Sequence, residues 1–142
     1  MINGIPVSLK GENGAIEKPV FATARKCPAL LGKLKDITKA DTAETVAARR
    51  ARDAEARIGS CTAEELDAVA VEAEGKALAA QAASVAVMDA VHEFLLAGFA
   101  GAGYTPEQAE YYTSLIGPER LQELKAKCLL GSGVVDFSPA GA

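Results

Sequence analysis

The residues best suited to chemistry in this chain are a single histidine, three cysteines, an arginine run and a cluster of glycines. A lone histidine excludes multi-histidine metal sites and leaves one imidazole, His92, as a possible general base. His92 shares a helical phase with Val85 and Phe99, so the spacing predicts a packing or partly buried histidine instead. Cys61 precedes an expected helix N-terminus, where free amides and the dipole favour a thiolate. A Cys61–His92 dyad is not expected, because one long helix is predicted to separate the two. Cys27, Cys61 and Cys128 are odd in number, far apart and without C-x-x-C spacing, which argues against a disulfide framework or a zinc site. Cys128 falls on an apolar helix face and reads as a small core residue.

Gly98, Gly101 and Gly103 raise the question of a phosphate loop. Their order is G-x-x-G-x-G, no lysine follows, and the preceding "VMDAVHEFLLAGF" reads as helix, whereas nucleotide loops need a strand and a different spacing. A hinge between helices accounts for them. Glu64, Glu65, Asp67, Glu72 and Glu74 read as a solvated acidic face, since nothing supplies the ligands or base that would complete a site. Arg49, Arg50 and Arg52, with Arg57 beyond, are the better polar candidates. They suit phosphate contacts, but Asp53 and Glu55 sit among them and no aromatic residue is interleaved for base stacking. No catalytic residue, cofactor or metal ligand is therefore assigned.

The elements that must position these residues are mostly helical. "KGENG" separates the short β-branched stretches Ile5–Leu9 and Ala15–Phe21, and Asn13-Gly14 predicts a hairpin within residues 1–24. Pro6 and Pro19 confine it to a minor, edge-like role. Helices follow within 28–58: one opens near Pro28 with Leu30, Leu31, Leu34 and Ile37 on one face, and a second opens at Asp41, capped with Glu44, and closes at Gly59. Thr62 and Glu65 then form a capping box for one long helix over 62–99, bent or not at Gly75. At 1.5 Å per residue it reaches roughly 55 Å, more than a compact domain of this size requires. Thr105, Pro106 and Gln108 start the first of two short helices within 106–130; Pro118 opens the second and Gly131 closes it. The expected whole is a mainly α, single helical domain over 1–131, with one long central helix and a small N-terminal β-hairpin. Residues 132–142 form a flexible tail.

Composition narrows the function. Apolar residues make up 49% of the 142, much of that alanine, and aromatics only 5%, so the core is thin and each large side chain counts. A net charge of −4 argues against wholesale adsorption to nucleic acid or anionic membrane. The uninterrupted apolar runs fall short of a membrane span, and "MINGIPVSLKGENG" lacks a secretory signal, so a cytoplasmic protein is expected. A basic stretch from Arg25 to Arg57 abuts an acidic one from Ser60 to Lys76, and two such helices suit pairing as a hairpin.

The opening "MINGIPVSL" and the stretch "VMDAVHEFLLAGFAGAGYTPEQAEYY" resemble the tail assembly chaperones and related small proteins of long-tailed bacteriophages. The resemblance covers the first ten residues and residues 85–130. It implies a non-enzymatic role in the bacterial host, coating a tape-measure protein or helping tail-tube subunits polymerise. From the residues themselves, the seven-residue recurrence of Leu78, Val85, His92 and Phe99, with Phe94 and Leu95, marks the expected protein-interaction face and a homo-oligomer. Nucleic-acid binding through Arg49, Arg50 and Arg52 is the alternative.

Overall fold

A computed structural model describes residues 4–130. The first three residues of "MINGIPVSL", the helix stop at Gly131 and the tail at 132–142 lie outside the described residues. The elements in chain order are β1 (Gly4–Pro6), β2 (Leu9–Lys10), β3 (Ile16–Glu17), β4 (Val20–Ala22), α1 (Ala29–Ile58), α2 (Leu66–Gly101), α3 (Pro106–Ser114) and α4 (Pro118–Leu130). The fold is mainly α, with one long central helix and a small N-terminal antiparallel hairpin region. Contacts divide the chain into two compact units, one of Met1–Leu34 with His92–Ala142, the other of Lys35–Val91.

In the first unit, β1 pairs antiparallel with β4, placing Ile5 opposite Phe21, and β2 pairs with β3, placing Leu9 opposite Glu17. These are two stretches of one hairpin. Its ladder is interrupted where Pro19 has no N–H to give, although the Pro19 carbonyl still accepts from the Val7 amide at 2.9 Å. At the tip, Gly14 takes a φ of 85°, a left-handed conformation that suits glycine, and the Asn13 side chain accepts from the Ala15 amide. The period-two pattern is clean: Ile5, Val7 and Leu9 are buried, while Pro6, Ser8 and Lys10 are exposed. The hairpin is the small two-stranded element expected, yet these residues and Phe21 supply a large part of the core.

That core is aromatic. The Phe21 ring lies 5.3 Å from Phe94 and 5.1 Å edge-on from Phe99, and Phe99 in turn meets Tyr104 and Tyr112. Tyr111 joins through Tyr112, so every aromatic residue among those described belongs to one cluster. Leu30 and Leu34 of α1 and Leu124 and Cys128 of α4 are buried in the same unit, and α4 lies against β1. Tyrosine hydroxyls tie the hairpin down: Tyr104 accepts from the Val20 amide at 3.0 Å, and Tyr111 donates to the Glu17 carboxylate at 2.8 Å.

Helix α1 corrects the expected pair of helices over 28–58. Nothing between Pro28 and Gly59 lacks an amide, and the hydroxyls of Thr42 and Thr45 bond back to the carbonyls of Thr38 and Asp41, four residues earlier, inside a helix that continues. Asp41 therefore opens no helix. Of the face expected near its start, Leu30, Leu34 and Ile37 are buried, while Leu31, one position off the i, i+4, i+7 pattern, is 36% exposed.

The capping boxes form as the residue types demand. Glu65 accepts from the Thr62 amide at 3.1 Å while its own amide reaches the Thr62 hydroxyl, and Thr105 with Gln108 does the same at α3, with Pro106 in the first turn. The two bonds from Thr62 hold the Glu65 carboxyl below its ordinary value. Helix α2 runs without a break through Gly75. Gly98 lies inside it, where a Cβ would fall within the Phe21 ring, so this glycine permits the helix to approach the hairpin. Gly103, at φ 107°, makes the turn towards α3.

Candidate functional site

The residues expected to form an interaction face divide. Phe94, Leu95 and Phe99 are buried at 0%, 4% and 0% exposure, in the core of the first unit; they are corrected from surface to packing residues. Leu78 and Val85 stay outside, 59% and 55% exposed in the second unit. The reason is local. Beyond His92 the hairpin and the tyrosines of α3 supply large side chains to pack against, whereas the Lys35–Val91 unit contains no aromatic residue at all.

The second unit pairs the α1 and α2 portions within Lys35–Val91. Arg57 of α1 donates to Glu72 of α2 at 2.7 Å, the one ion pair between these two stretches among the described residues, and it matches the basic-to-acidic pairing expected of adjoining helices. Between the helices Ala54, Val69 and Ala73 are buried, a contact of small side chains. Arg50, Asp53, Arg57, Glu72 and Lys76 border a shallow depression of about 250 Å³ beside Ala54.

On the outward side of α2, Val71 and Met88 are each 69% exposed and join Leu78 and Val85. Val71, Leu78 and Val85 repeat every seven residues, with Gly75 and Ala82 between them, so they form one stripe along the helix. Val71 is absent from the face read from sequence. The heptad counted backwards from Leu78 reaches it, but the neighbouring Glu72 and Glu74 mask the pattern. The stripe lies on the side of α2 opposite Val69 and Ala73, so α2 is apolar on two faces. By length and composition it also meets the threshold for a membrane span, with a mean hydropathy of 1.4 over 18 residues, although no single apolar run suggests this. Only 22% of that window is buried.

The polar candidates sit apart from one another. His92 is exposed, with Nε2 3.4 Å from the Glu110 carboxylate, a solvent-screened pair of small energetic worth. Cys61 is half-buried and its thiol faces the Ile58 carbonyl at 3.5 Å. Cys128 is buried, and burial pushes its thiol up to about 11. Arg49, Arg50 and Arg52 are exposed and make no ion pair among the described residues. The hinge expected of the three glycines is corrected: Gly98 and Gly101 lie within α2, Gly98 facing the Phe21 ring, and only Gly103 stands in the turn beyond it. No group of three or more His, Cys, Asp or Glu stands together among the described residues.

No family model matches the chain, and no curated protein or solved structure does either. Its functional reading therefore rests on the α2 stripe and on the charged helix beside it.

Proposed function

We propose that the protein is a non-enzymatic assembly factor, of the class to which phage tail assembly chaperones belong, working through helical protein–protein contacts and self-association in the cytoplasm of a bacterial host. One observation carries the reading: Val71, Leu78, Val85 and Met88 expose an apolar stripe on a continuous helix whose neighbouring unit has buried its own large side chains. Contiguous exposed apolar surface favours partner binding, and a helix face of i, i+7 anchors suits a helical partner. Under this reading the partner is a tape-measure or tail-tube protein, whose apolar surface is shielded before it is incorporated.

The test is co-purification of the full chain with a tape-measure protein and with a tail-tube protein. Capture that is lost in a Leu78→Glu, Val85→Glu double variant supports the reading; no capture of either protein overturns it. A second reading has its own observation, the exposed Arg49, Arg50 and Arg52, which make no ion pair among the described residues. These would bind nucleic acid with an affinity that falls steeply as salt rises and disappears in the triple alanine variant. Absence of a shift with duplex or single strands at low salt removes it.

A further inference from the structure

We draw no further inference here: the strongest candidate, the outward apolar stripe of α2 formed by Val71, Leu78, Val85 and Met88, belongs to the surface already described, and nothing in the structure shows what covers it.

Discussion

The two units are built from the same pair of helices, but they solve burial differently. In the unit of Met1–Leu34 and His92–Ala142, Phe21, Phe94, Phe99, Leu30, Leu124 and Cys128 are almost fully excluded from solvent. In Lys35–Val91 the buried residues are mostly alanine and valine, and the larger side chains face outward. Aromatic rings bring large apolar areas and favourable edge-on contacts, so the first unit is closed by its own residues. Alanine contacts bring helices close but bury little area, so the second is left with surface to offer. Buried side chains are concentrated in one region and exposed apolar surface in the other.

The sharpest way to break that contrast is to remove the hairpin's ring from the aromatic cluster. Phe21→Ala should cost about 3–5 kcal/mol, read as a lower midpoint in urea unfolding, because Phe94 and Phe99 lose their common neighbour. Gly98→Ala should cost about 1–3 kcal/mol by forcing a methyl group into the Phe21 ring; an unchanged midpoint would mean that the helix and hairpin do not meet as described. Titration should loosen the same core. The Cys128 thiol is raised from an ordinary 9.0 to about 11 when folded, so the folded chain holds that proton more tightly than the unfolded one. Its contribution to stability is complete below pH 9 and is lost as pH rises through 11; Cys128→Ala should flatten that alkaline decline in a series of thermal melts.

A smaller effect is expected at the start of α3, where Thr105→Ala removes the acceptor for the Gln108 amide and should cost about 1 kcal/mol in the same unfolding assay. The smallest belongs to the other unit. Val71→Ser, on an exposed side chain, should move the unfolding midpoint of the dilute chain by no more than about 0.5 kcal/mol, while lowering self-association measured at high concentration. If Val71→Ser proved as damaging to the dilute chain as Gly98→Ala, the division of labour between the units would be lost.

What was legible from the residues alone was whatever local chemistry decides. Thr62 with Glu65, Thr105 with Gln108 and Pro106 mark helix starts because their side chains satisfy free amides within one turn, and Asn13-Gly14 marks the hairpin because its turn needs a left-handed residue. Asp41 misled for the same local reason: it has the type of a cap, but the helix arriving from Pro28 already satisfies the amides around it. Periodicity also placed Leu78, Val85 and Phe99 correctly on helical repeats of seven. It did not say which of them would be covered. That depended on the hairpin bringing Phe21 to Gly98 and on Tyr104 and Tyr112 closing over Phe99, while Leu78 stays exposed. The sequence by itself determined where helices begin, because capping is a contact between residues three apart. Only the tertiary structure decided which apolar face becomes core and which stays exposed, because burial is set by neighbours distant along the chain.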